Sequence, residues 1–130
     1  MFTRTRSCGA AAPCSISADY AAHRERYVET NYPRSGFADK QFTMSLVSHC
    51  LFLYDEHLSY DFHRNTVWEL LRVTSRQIRI FPLINLRFCR SAYVDRMMAE
   101  LKQGGHGVEV RKVDYEFLKG GNEMMVIHPR

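Results

Sequence analysis

The sequence predicts an α/β domain with parallel strands joined by helical crossovers and an antiparallel last strand. Three observations carry this. Short apolar or β-branched runs, Phe42–Val47, Gln77–Phe81 and Val108–Val113, alternate with stretches of helical spacing, the pattern of strands and crossover helices. Crossovers of that kind make the first three strands parallel, with right-handed connections. The link from Val113 to Asn122 is too short for another helix, so the final run, Met124–Ile127, pairs antiparallel with its predecessor, directly or across one edge position.

Phe42–Val47 is the strand around which the rest is arranged, because the polar pair Ser48–His49 follows it. Ligands of open α/β sheets bind beyond the carboxyl ends of the strands. Before it, Ile16–Arg26 reads as a short helix capped by Ser17 with Tyr20 facing inward. Tyr27–Thr30 is a candidate short strand or extended segment, 31–36 a loop by composition, and Phe37–Lys40 a turn. After it, Leu51–Leu58 is a loop anchored by Leu51, Phe52, Leu53 and Tyr54. Ser59 or Asp61 caps a helix that runs to about Val73, with Val67, Leu70, Leu71 and Thr74 as its inner face. Arg72 and Arg76 suit the end of its dipole. Pro82 ends the second strand. Leu83–Arg90 is a long loop, and Ser91 caps a helix with Val94, Met97, Met98 and Leu101 inward. Gly104–Gly105 stops that helix, and Lys119–Asn122 is a turn. Met97, Met98, Met124 and Met125 read as core.

The 130 residues and 45% hydrophobic content fit one globular domain. Residues 1–17, without apolar periodicity, read as a foreign or disordered tail; their Arg, Ser and lack of acid also resemble a transit peptide in composition. Residues 18–130 form the domain. The net charge of +4 is scattered, unlike the dense basic stripe of a nucleic-acid binder. No run is long enough for a membrane span. The four cysteines, Cys8, Cys14, Cys50 and Cys89, lack a CxxC spacing; they read as free, buried thiols in a reducing, cytoplasmic setting.

His49 admits two roles: a substrate-orienting or basic group at a strand end, or a histidine simply hydrogen-bonded there. His49, His57 and His63 with Asp55, Glu56 and Asp61 match no standard zinc spacing and read as a solvated polar loop. Ser48, His49 and Asp55 do not read as a hydrolase triad. The GxSxG elbow is missing, and adjacent residues on an extended strand point to opposite faces. Tyr115–Glu116–Phe117 could line a pocket or pack on the last strand. Arg87 and Arg90 could meet an acidic substrate, though a solvated loop explains them.

The segments Arg26–Tyr27–Val28, 36–42, 48–54, Asp61–Phe62–His63, 69–73, 78–83, Tyr115–Glu116–Phe117 and Gly120–Gly121–Asn122, taken in order, resemble the carboxyl half of a class I S-adenosylmethionine-dependent methyltransferase-like family of bacterial type. The resemblance covers roughly Ala18 to Ile127. It implies a partial Rossmann-like sheet in which Phe42–Val47 is the fourth strand. It also implies that Glu29, Thr30, Ser48 and His49 lie beside the cofactor S-adenosyl-L-methionine, and that a small-molecule or other methyl acceptor is the substrate. Thr43 stands where such proteins often carry an acid. The family's first strand, its glycine-rich turn and the acid that holds the ribose should precede Ala18 and are not found there. Gly104, Gly105 and Gly107 follow a helix instead of a strand and do not supply that turn. The expectation is therefore a truncated, half-domain methyltransferase-like chain that binds the cofactor weakly or not at all, with no catalytic residue assigned. The alternative is a non-enzymatic interaction subunit that recruits a partner chain, or itself, along an exposed sheet edge.

Overall fold

A computed structural model describes residues 16–130 of the chain. The reading of the tail falls outside the described residues, except for Ile16 and Ser17. Those two open the helix α1 (Ile16–Ala22), so Ser17 is helical and not a cap. This helix buries no residue. Tyr20 is 43% exposed and lies edge-on to Tyr27, which corrects the inward placement. Asp19 ties the segment together by accepting from Arg26 and from the Tyr27 hydroxyl. Tyr27–Thr30 forms no strand. Val28 is 61% exposed, and β propensity alone does not make a strand.

Strand β1 (Phe42–Ser48) turns Phe42, Ser45 and Val47 inward, with a register irregularity between Phe42 and Met44. Its buried Ser45 hydroxyl is matched by Thr74 Oγ1 at 2.6 Å, which satisfies two polar groups that burial would otherwise penalise. A 3₁₀ turn, Leu51–Tyr54, then buries Leu51, Phe52 and Leu53. Helix α2 (Tyr60–Val73) starts where Ser59 Oγ accepts the Phe62 N–H at 3.1 Å, an N-cap bond of the expected kind. It passes into β2 (Thr74–Phe81) with no loop between. Thr74, which the spacing assigns to the inner face of α2, and Arg76, assigned to the end of its dipole, both lie in β2, whose start the sequence places at Gln77.

Helix α3 (Tyr93–Gln103) begins one residue later than a cap at Ser91 predicts: Ala92 holds the N-cap position, and Ser91 Oγ accepts the Tyr93 N–H at 3.3 Å. Gly105, at φ +80°, takes the left-handed turn after it. Strands β3 (Gly107–Lys112) and β4 (Glu123–His128) follow, joined by a link in which Gly121 N–H bonds Leu118 O. A Cβ on Gly121 would stand 2.7 Å from Ile84 Cδ1 and 3.0 Å from Leu118 O, so a larger residue there would displace the Ile84 side chain.

The four strands form one mixed sheet in the order β1-β2-β4-β3. β1 and β2 pair parallel, and β4 is antiparallel to both β2 and β3. β1, β2 and β3 thus run in one sense, as expected, but β4 lies between the last two. The sequence carries no signal for that insertion. Both crossovers place their helices on one face. Val67, Leu70 and Leu71 of α2 and Val94, Met97 and Leu101 of α3 join Val47, Ile78, Ile80, Met125 and Ile127 in a single core. Of the four methionines read as core, Met97 and Met125 are fully buried, while Met98 and Met124 are half-buried. No helix among the described residues is long and apolar enough to cross a membrane.

Candidate functional site at the carboxyl ends of β1 and β2

β1 delivers Ser48 and His49 to the carboxyl end of the sheet, beside Phe81 at the end of β2. His49 leaves the strand at φ +55° while its N–H still donates to Phe81 O at 2.8 Å. Histidine is among the side chains that tolerate this left-handed region, which generally marks a constrained turn. The turn swings the imidazole back, and Ser48 Oγ meets His49 Nδ1 at 2.6 Å. Strand alternation would have kept the two side chains apart; the turn overrides it.

Aromatic rings close around this pair. Phe117 stands edge-on to the His49 ring at 4.3 Å, Phe81 at 5.8 Å, and Tyr115 lies 5.9 Å from Phe81. Tyr115 and Phe117 remain at least half exposed, so they form a rim and not a core. His49 Nε2 is buried there without a hydrogen-bond partner. Next to it a hollow of about 180 Å³ is lined by Leu46, Val47, Ser48, Arg79, Phe81 and Met124. The arrangement offers a serine–histidine pair and a mostly apolar wall, suited to holding the flat or apolar part of a small molecule. The rim residues Tyr115 and Phe117 were legible as a motif, yet nothing in the sequence linked them to His49.

The other two candidates lie elsewhere. Thr30 Oγ1 donates to Ser35 O at 2.8 Å. Ser35 is in turn held by Glu69, through its N–H at 3.0 Å and its hydroxyl at 2.5 Å. Glu69 lies in the second half of α2, on the side of the sheet where strands begin. Glu29 is exposed. Among the described residues no hydrogen bond or ring contact joins Glu29 or Thr30 to Ser48 or His49.

Glu69 centres a clamp. Arg72 donates to both its oxygens and also reaches Asp39 Oδ1 and Phe37 O. The Arg72 guanidinium, with the Ser35 bonds, holds the Glu69 carboxyl down from 4.5 to about 2. A larger hollow of about 390 Å³, lined by Pro33, Arg34, Arg64, Asn65, Trp68 and Glu69, adjoins this clamp. Glu69 is already engaged there, and Arg64 is held by Glu100 at 2.7 Å and over the Trp68 ring at 4.9 Å. These groups serve the fold, so the site is placed at the strand ends.

The remaining candidates also resolve. Asp55 Oδ2 accepts from Asn85, not from His49, so no Ser–His–Asp relay exists. His63 is fully buried, its Nδ1 donating to Ser59 O at 2.8 Å. Among the described residues no three His, Cys, Asp or Glu side chains form a metal-sized group. Arg87 pairs with Glu56, and Arg90 with Asp95 and Glu123. Cys50 and Cys89 are free thiols, the first half-buried and the second exposed, which corrects the buried reading for Cys89.

No family model matches the chain. It is similar to an uncharacterized protein of Methanocaldococcus jannaschii, 47% identical over 109 residues, which is 84% of this chain and 47% of that protein. The chain therefore spans about half the length of the curated relative it matches.

Proposed function

We propose that this chain is the carboxyl-terminal half of a class I S-adenosylmethionine-dependent methyltransferase-like domain, of Rossmann-like type. The observation that supports it most is the sheet. Three strands of one sense, linked by helical crossovers and closed by an antiparallel last strand, form the arrangement that the resemblance implies. The polar turn Ser48–His49 at the carboxyl end of β1 adds to it.

The residues present do not fit the cofactor by themselves. Ser48 and His49 are bonded to each other, Phe117 covers the imidazole, and the Thr30 hydroxyl is spent on Ser35. Among the described residues there is neither a glycine-rich turn after a strand nor an acid at the carboxyl end of β1 beside Ser48 and His49. In this reading Ser48 and His49 are one wall of a site, and the cytoplasmic chain alone binds S-adenosylmethionine weakly or not at all.

Titration calorimetry tests this in two steps. The isolated chain gives no micromolar binding; a family-like amino-terminal half grafted ahead of Ala18 restores it, and replacing Ser48 and His49 by Ala weakens it again. Micromolar binding by the isolated chain would remove the half-domain reading. A folded graft that ignores the cofactor would favour the second reading, a non-enzymatic interaction subunit, for which the outer edge of β1, unpaired among the described residues, speaks.

A further inference from the structure

The hollow of about 390 Å³ lies on the outer side of the helical layer, between α2 and the loop 31–36. Its volume falls at the lower end of small-molecule sites, roughly 300–1,000 Å³. Arg64, Asn65, Trp68 and Glu69 share one side of α2 by helical spacing, opposite the core residues Val67, Leu70 and Leu71. The two walls are fastened to each other. Glu69 accepts from both the N–H and the hydroxyl of Ser35, and Ser35 O accepts from Thr30. Within the loop the Arg34 N–H donates to Asn31 O at 3.0 Å. The hollow is thus formed before a ligand arrives, which removes the cost of ordering the loop on binding.

Most of the charge around it is already matched. Arg72 meets Glu69 and Asp39, and Arg64 meets Glu100. Two polar side chains of the lining are left over. Arg34 and Asn65 are exposed, and among the described residues neither side chain has a hydrogen-bond or ion-pair partner. The floor is flat: the half-buried Trp68 packs against the core, and the Arg64 guanidinium lies 4.9 Å over its ring. Indole and guanidinium planes both stack on planar rings. Pro33 adds an apolar edge.

One open guanidinium, one open amide and a flat floor describe a ligand. A guanidinium fork takes a carboxylate through two parallel hydrogen bonds. A phosphomonoester carries nearly two charges and calls for a second cation, yet Arg64 and Arg72 are engaged by carboxylates. The amide offers donors and an acceptor to a polar group on the ring. We propose that this hollow binds a small aromatic carboxylate. Its ring stacks on the Trp68–Arg64 floor, its carboxylate meets Arg34, and a ring hydroxyl or amine meets Asn65. The hollow shares no residue with the strand-end site, so the inference stands independently of the methyl-transfer reading.

Trp68 is the chain's only tryptophan, so its fluorescence reports on the hollow in the unaltered 130-residue protein. Titration with 4-hydroxybenzoate should change the emission saturably, with a Kd on the order of 0.1–1 mM for a ligand of about ten non-hydrogen atoms. Calorimetry should return the same constant, with one site per chain. Arg34→Gln should weaken binding by about tenfold or more, and Asn65→Ala by about threefold to tenfold. Both variants should keep the parent's thermal midpoint, since neither side chain is engaged in the fold. Arg34→Lys, which keeps the charge without the planar fork, should bind more weakly than the parent and more tightly than Arg34→Gln. Cyclohexanecarboxylate keeps the charge without the flat ring, and phenol keeps the ring without the charge; each should bind about tenfold more weakly than 4-hydroxybenzoate, or less tightly still. No saturable signal by either method, binding indifferent to Arg34→Gln, or tighter binding of adenosine 5′-monophosphate than of the carboxylate would each overturn the proposal.

Discussion

The covered face of the sheet and its open face are built from the same strands, one residue out of step. On the covered face Val47, Ile78, Ile80, Met125 and Ile127 are at most 1% exposed and packed under two helices. On the open face Leu46, a residue of the same hydrophobicity, is left 47% exposed. Burial and not residue type makes the first set stabilising. The open set contributes little to this chain's fold, because Leu46 removes far less apolar surface from water than its covered neighbours do.

The largest effect expected from breaking this contrast is in the core. Ile78→Ala should cost about 3 kcal/mol, the transfer loss plus the cavity left under α2, read by urea unfolding. Leu46→Ala, at the other extreme, should fall within about 0.5 kcal/mol of the parent.

Between these lie the devices that fasten the helical layer. Glu69→Gln should cost about 1–2 kcal/mol at neutral pH, since it removes the carboxylate that receives both Arg72 and Ser35. The sign of its pH dependence follows from the depressed carboxyl. A group held at about 2 when folded, against 4.5 ordinarily, stabilises above the higher value. That contribution is lost as pH falls toward the lower one. The stability gap between parent and Glu69→Gln should therefore close between about pH 5 and pH 2, measured by denaturant titration across that range. Ser59→Ala, which strips the α2 cap bond to Phe62 N–H, should cost about 1 kcal/mol; an unchanged unfolding midpoint would mean water replaces the hydroxyl.

Much of the covered layer was legible in the sequence. Val67, Leu70 and Leu71 in α2 and Val94, Met97 and Leu101 in α3 follow helical periodicity because each has a buried stripe to fill. β1 and β4 were placed within a residue or so at either end. What escaped lay outside local pattern. Thr74–Arg76 joins β2 through its pairing with β1 and the Thr74 and Ser75 hydroxyl bonds to Ser45 and Phe42, which leave no apolar pattern. The insertion of β4 between β2 and β3 is a tertiary choice with no local mark. At the candidate site Ser48 and His49 were visible as a polar pair at a strand end. Their mutual bond depends on His49 turning left-handed, and the Phe117 contact depends on a loop 68 residues away in the chain. Thr30 was placed with them through the resemblance; its hydroxyl is instead engaged by a loop that Glu69 fastens to α2.

Hydrogen exchange along β1 tests the central claim, that this sheet has a finished side and an unfinished one. In the isolated chain at low concentration, the Val47 and His49 amides, which face β2, should exchange slowly with the core. The Met44, Leu46 and Ser48 amides, which face the outer edge, should exchange nearly as fast as an open strand. Uniformly slow exchange along Phe42–Ser48 in the isolated, monomeric chain would contradict the account, because the edge of β1 would then already be closed.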